Sequence, residues 1–161
     1  MTEHVKFDPR TVCKPVLSET KGWFDKAVPD PQTKNFTTQL GVHFEEVAEM
    51  ITELTPENDE VGQAILDALT ANKHLGELLK RSGGVHVKDE NRRLFLDAIC
   101  DQLVTGTGTA HMLGMDPVGG LNEVNRGNFS KFDDEGNPIF DENMKVTKGP
   151  NYVKPDLTPF V

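Results

Sequence analysis

The chain has 161 residues, 36% of them hydrophobic and 27% charged, the make-up of one soluble domain large enough to bury a core. A formal net charge of -9 with no basic stripe argues against a nucleic-acid backbone as partner. Two cysteines, Cys13 and Cys100, are too few for a disulfide framework, and residues 1–10 carry no apolar leader. The longest apolar-rich stretch, residues 94–113, is broken by Asp97 and Asp101. The expected protein is therefore cytoplasmic, in a reducing compartment, with no membrane partner.

Residues 1–20, with Pro9 and Pro15, show little periodicity and read as an irregular arm. Trp23, Phe24, Ala27 and Val28 then recur at helical spacing until Pro29 and Pro31 stop the segment. Over residues 35–54, Leu40, Phe44, Val47, Met50, Ile51 and Leu54 form one apolar face, and Pro56 ends the helix. A third helix spans residues 59–80, with Val61, Ile65, Leu69, Leu75, Leu78 and Leu79 on its buried side and Ser82-Gly83-Gly84 as its break.

The fourth helix, residues 89–113, carries Leu96, Ile99, Leu103, Ala110 and Leu113, with Cys100 as a small hydrophobe among them. Gly106 and Gly108 are costly inside a helix, which points to close approach of a partner helix or ligand. Gly114 suits a C-terminal cap, and Asp116-Pro117 opens a fifth helix that runs to about Lys131. Residues 133–137 are turn chemistry, and strand-like pieces at Ile139-Phe140 and residues 145–147 fit a small hairpin. Pro150, Pro155 and Pro159 mark an extended tail. The predicted architecture is all-α: one domain, a four- to five-helix bundle, with an arm at 1–20, a helical core at 21–131 and an irregular extension at 132–161.

Two acidic constellations carry chemistry. On the second helix, Glu46 and Glu49 share one face, as do Glu45 and Glu49. On the fourth, Asp97 and Asp101 are one turn apart and are the only acids among residues 94–113, in a helix whose apolar surroundings predict burial. Buried carboxylates need a cationic partner or a metal ion. An all-oxygen donor set suits Mg²⁺ or Mn²⁺ with a phosphate-bearing substrate, and no zinc or di-iron spacing is present. Asn125, Asn128 and Lys131 share a face of the fifth helix, where amide and ammonium donors suit a polyphosphate or a sugar hydroxyl. No Gly-rich P-loop is present.

The order Glu46-Val47-Ala48-Glu49, then Asp97-Ala98-Ile99-Cys100-Asp101, then Glu123 through Phe132, then Lys148-Gly149-Pro150-Asn151-Tyr152 with Pro155-Asp156-Leu157 resembles the MazG-like and dimeric-dUTPase superfamily of all-α NTP pyrophosphohydrolases. The likeness covers residues 23–157 and extends to the phosphoribosyl-ATP pyrophosphohydrolase-like branch common in bacterial and phage-encoded members. There is one departure: Ala98 stands where the family's second motif has Glu, with Asp97 beside it. It bears on the number of metal ions more than on the fold.

The resemblance implies cleavage between the α and β phosphates of a nucleoside triphosphate, giving a monophosphate and pyrophosphate. Glu46, Glu49, Asp97 and Asp101 would be ligands of Mg²⁺ or Mn²⁺, with Glu45 and Glu46 as candidate catalytic groups. Asn125, Asn128 and Lys131 would bind substrate, with Trp23 available to stack on a base and Lys148 and Tyr152 to close over the site. A homodimer or homotetramer is implied, in a host cytoplasm if the chain is phage-encoded. Two rivals stand beside this reading: a base-specific enzyme such as a dUTPase, dCTPase or purine dNTP hydrolase, and a catalytically silent nucleotide-binding helical protein.

Overall fold

Pro29 and Pro31, Pro56, the Ser82-Gly83-Gly84 run and Gly114 divide the chain into five helices in a computed structural model that describes residues 16–161. These are α1 (Val16–Ala27), α2 (Thr33–Thr52), α3 (Asp59–Ser82), α4 (Arg92–Met112) and α5 (Pro117–Phe129). One-turn 3₁₀ segments precede α4 at Asp89–Asn91 and close the chain at Thr158–Phe160. The all-α expectation holds. One boundary differs: residues 16–20, read as part of the arm, already belong to α1. Proline is tolerated ahead of a first turn, so Pro15 permits a start at Val16. The rest of the predicted arm, and Cys13, lie outside the described residues.

Local chemistry sets the ends. Asn58 caps α3 by accepting from the Val61 amide at 2.9 Å. Asp116 caps α5 by accepting from the Val118 and Gly119 amides, with Pro117 at the first helical position. Gly83, at φ 66°, ends α3 in a conformation that glycine adopts without strain.

Helices α2 and α3 form an antiparallel pair whose backbones meet at Gly41 and Gly76. A Cβ on Gly41 would lie 2.6 Å from the Gly76 carbonyl oxygen, and one on Gly76 would lie 2.8 Å from that of Gly41. Ala48 and Leu79 are buried in this pair. A second apolar cluster joins α1 to the C-terminal extension. Trp23 stacks on Phe132 with ring centroids 5.9 Å apart and planes 5° from parallel, over Ala27 and Phe24. The tail then runs back along α5, and Gly127 leaves room for Pro155, whose Cγ would stand 2.6 Å from any added Cβ.

The predicted hairpin is reduced to a tight turn. Phe140 and Val146 form a single antiparallel bridge, and the Thr147 amide donates to the Ile139 carbonyl at 2.7 Å. No helix among the described residues is long and apolar enough to cross a membrane.

Helix α4 departs most from expectation. It has no buried residue: Leu94, Leu96, Leu103, Val104, Met112 and Leu113 are exposed, as is the Cys100 thiol. Its apolar side chains are spread around the helix, and among the described residues only one side of it is covered.

The glycine crossing gives a direct test. Gly41→Ala should destabilise the fold by about 1–3 kcal/mol through overpacking. Gly22→Ala, where nothing lies within 4 Å of the new Cβ, should gain up to about 1 kcal/mol of helix propensity. Urea denaturation midpoints that move together would show that the crossing is not tight.

Candidate functional site

An open groove of about 1580 Å³ runs between α1, α2, the start of α4, the end of α5 and the 139–147 turn. Glu46, Asn128, Lys131 and Lys145 contribute its polar walls, and Trp23 and Phe95 contribute apolar surface. Arg92, Arg93 and Lys21 add further cations at its margin. A chain of net negative charge thus gathers positive groups in one concave place.

The three glutamates of α2 separate by helical geometry. Glu46 and Glu49, three residues apart, project from one side of the helix and are exposed. Glu45 turns toward α3, where the Lys80 ammonium holds its carboxylate in an ion pair. That pairing takes Glu45 away from the Glu46 and Glu49 face, against its reading as an additional ligand or base.

The aspartates of α4 do not join them within one chain. Phe36 meets Phe95 with centroids 6.3 Å apart, and His43 Nε2 pairs with Gln102 Oε1. Both pairs are 59 residues apart, so α2 and α4 run parallel. Each residue turns the helix by about 100°. Asp97, two residues beyond Phe95, therefore lies on the far side of α4, and Asp101, one before Gln102, is turned well away from α2. Both are exposed. Among the described residues, no group of three or more His, Cys, Asp or Glu side chains is close enough to share a metal ion. The expected burial of these two acids is corrected, because the apolar helix that carries them is itself uncovered.

On α5 and just past its end the predicted donors also separate. Asn125 is buried and its amide is engaged between helices: its Oδ1 accepts from the Thr20 hydroxyl at 2.9 Å, and its Nδ2 donates to the Val16 carbonyl at 3.3 Å. It lies outside the groove lining and ties α1 to α5. Asn128 and Lys131 do face the groove, and the Lys131 ammonium donates to Asn128 Oδ1 at 2.7 Å. Trp23 is a core residue, 8% exposed, whose indole N–H donates to the Asn128 carbonyl at 2.9 Å. With one ring face stacked on Phe132, Trp23 sets the end of α5 and is poorly placed to stack on a base. From the tail, the Lys148 ammonium lies 4.8 Å over the Tyr152 ring.

The electrostatics follow from this crowding. Burial pushes the Lys131 ammonium below its usual range, and the positive charges of Lys145 and Lys148 push the same way, opposed by the Glu46 carboxylate. Glu123 and Arg126, within the third motif, serve the tail instead. Arg126 donates to both carboxylate oxygens of Glu123 at 2.8 and 2.6 Å, and the Asp156 amide donates to Glu123 at 2.9 Å. The hydrogen bonds from Arg126 first, then from the Asp156 amide, lower the Glu123 pKa from 4.5 to about 2.

Sequence reading missed Thr38, Lys145, Arg92 and Arg93. The two arginines stand just ahead of the Asp97 motif, and Lys145 follows a turn signalled by Asp141 and Asn143. Nothing local marks Thr38, whose partner is 105 residues away. Comparison of the chain with protein-family models, with curated proteins and with solved structures finds no match.

The depressed Glu123 pKa sets an acid limit on tail docking. The stabilisation it supplies is complete above pH 4.5 and is lost as pH falls through about 2. Hydrogen exchange at the Asp156 amide should rise across that window beyond its intrinsic pH dependence. In Glu123→Gln this amide should already exchange faster at neutral pH, without the added acid step. Equal protection in both proteins would refute the anchor.

Proposed function

We propose that this chain is a metal-dependent nucleoside triphosphate pyrophosphohydrolase, splitting water across the α–β phosphoanhydride to give a nucleoside monophosphate and pyrophosphate. The observation that carries the reading is the groove in which Glu46 on α2 shares one concavity with Asn128 on α5 and Lys131 just beyond its end. The order of the acidic motifs along the chain supports it.

Glu46 and Glu49 fit a Mg²⁺ or Mn²⁺ ion that is held by one or two carboxylates and completes its shell with water and substrate phosphates. Such an ion supplies charge neutralisation at the phosphate oxygens and a more acidic bound water. The protein's own groups position the substrate. Lys131 and Asn128 hold phosphate or sugar oxygens, and Lys131, already partly desolvated, binds an anion at a smaller further loss of hydration. Glu46, close enough to act on Lys131, keeps the acidic and basic parts of the site in contact. Phe95 and Phe36 offer apolar surface to a base.

The uncovered face of α4 supports a homo-oligomer. Leu103 and Val104 are exposed apolar residues side by side on α4, outside the groove lining, of a kind that marks contact sites. Gly106 and Gly108 add two positions at which none of the described residues lies within 4 Å of a Cβ. A second copy seated there would bury Asp97 and Asp101 and complete their expected role as ligands. Without one, the separation of these acids from Glu46 favours the second reading, a nucleotide-binding protein that does not turn over.

A panel of canonical (d)NTPs with Mg²⁺ or Mn²⁺, assayed for pyrophosphate and phosphate separately, decides between the readings and identifies the preferred base. Equimolar monophosphate and pyrophosphate are expected. Glu46→Gln and Glu49→Gln should lower kcat by at least about a hundredfold, the upper range for second-shell changes around a metal ion, with helical circular dichroism unchanged. Binding without pyrophosphate release would overturn the enzyme reading. Sedimentation equilibrium tests the assembly: the wild type should exceed the monomer mass of 17.9 kDa, and Leu103→Glu with Val104→Glu should return it toward that mass.

A further inference from the structure

The turn at residues 139–147 is built more firmly than an exposed loop needs to be. The Asp141 carboxylate accepts from the Asn143 and Lys145 amides, both at 2.9 Å, and the Asp141 amide donates to the Lys145 carbonyl at 3.0 Å. The buried Thr38 hydroxyl on α2 donates to the Asn143 carbonyl at 2.8 Å, fastening the turn to the helix that carries Glu46. Between these bonds Met144 sits at φ 63°, the one non-glycine residue at positive φ among the described residues. That conformation is unfavourable for a methionine and persists where surrounding contacts impose it, often at functional sites.

What the turn presents is Lys145. Its side chain is exposed and lines the groove beside Lys131. Among the described residues, no carboxylate forms a salt bridge with Lys131, Lys145 or Lys148. Lys131 and Lys145 line the same groove, and the like charges of Lys145 and Lys148 act on Lys131 against the Glu46 carboxylate, a gathering of cations that an anion between them would relieve.

We propose that Lys145, held in place by the Thr38-anchored turn, forms with Lys131 a binding site for the phosphate chain of the substrate, on a different wall of the groove from Glu46. The identity of that chain as a triphosphate rests on the pyrophosphohydrolase reading; the anion site itself rests on the two groove lysines. Lys145 takes the outer phosphates that leave as pyrophosphate, while Lys131, hydrogen-bonded to Asn128, stands nearer the nucleoside. Thr38 is a positioning residue that acts through the backbone of Asn143.

The test titrates inorganic tripolyphosphate, in EDTA so that no metal ion contributes, into wild type, Lys145→Ala, Lys145→Arg and Thr38→Val by calorimetry. Lys145→Ala should weaken binding about tenfold, the loss of one charge-assisted contact, and Lys145→Arg should keep most of it. The melting temperature of Lys145→Ala should not change, since this side chain makes no hydrogen bond among the described residues. Thr38→Val should also weaken binding, and combining it with Lys145→Ala should add little more. Equal affinity of wild type and Lys145→Ala, or no binding by wild type, would overturn the proposal. The two readings fail separately. Tripolyphosphate binding that depends on Lys145 in a protein that hydrolyses no (d)NTP would remove the enzyme reading and keep the anion site. Hydrolysis with KM unchanged in Lys145→Ala would do the reverse.

Discussion

The backbones of α2 and α3 touch at Gly41 and Gly76, and the arrangement of the acidic groups depends on that touch. With either glycine replaced, the helices must separate or rotate, because each position faces the other's carbonyl oxygen. At the observed spacing Lys80 reaches Glu45 and holds it toward α3. Glu46 and Glu49 are then left on the open side of α2, and Thr38, on the same helix, meets the 139–147 turn. A contact between two residues without side chains therefore sorts three neighbouring glutamates into one structural group and two available ones.

Where the chain is punctuated by proline, glycine or a capping side chain, the sequence was readable. The ends of α2, α3 and α5 fall within two residues of the positions expected from Pro56, Ser82-Gly83-Gly84 and Asp116-Pro117. The site was less readable because helical spacing tells which residues share a face but not where that face points. Glu46 and Glu49 share one, as expected, yet Glu45 leaves it for Lys80. Asn125 and Asn128 are three residues apart on α5, but one is buried against α1 and the other borders the groove. The groups that complete the groove, Thr38 and Lys145, come together over a sequence separation that no local pattern encodes.

Helix α4 shows the limit of the rule that apolar helices are buried. Its composition predicts cover on most sides, and among the described residues it has cover on one. Composition sets what the helix needs, and the described residues supply only part of it. The same helix holds both aspartates of the second motif, so the cover of its apolar surface and the surroundings of those acids are one question.

Trp23 is the only tryptophan in the chain. Its indole is fixed by a hydrogen bond to Asn128 and by the ring of Phe132 beneath it, and the Lys131 ammonium lies 6.0 Å from its ring centroid. Its excited state is polarised along the indole and therefore responds to a nearby charge. When an anion neutralises Lys131, the field across the ring changes, and the emission of the whole protein changes with it. The residue that braces the end of α5 thus doubles as an intrinsic fluorophore for groove occupancy, readable without a label and for ligands that undergo no reaction.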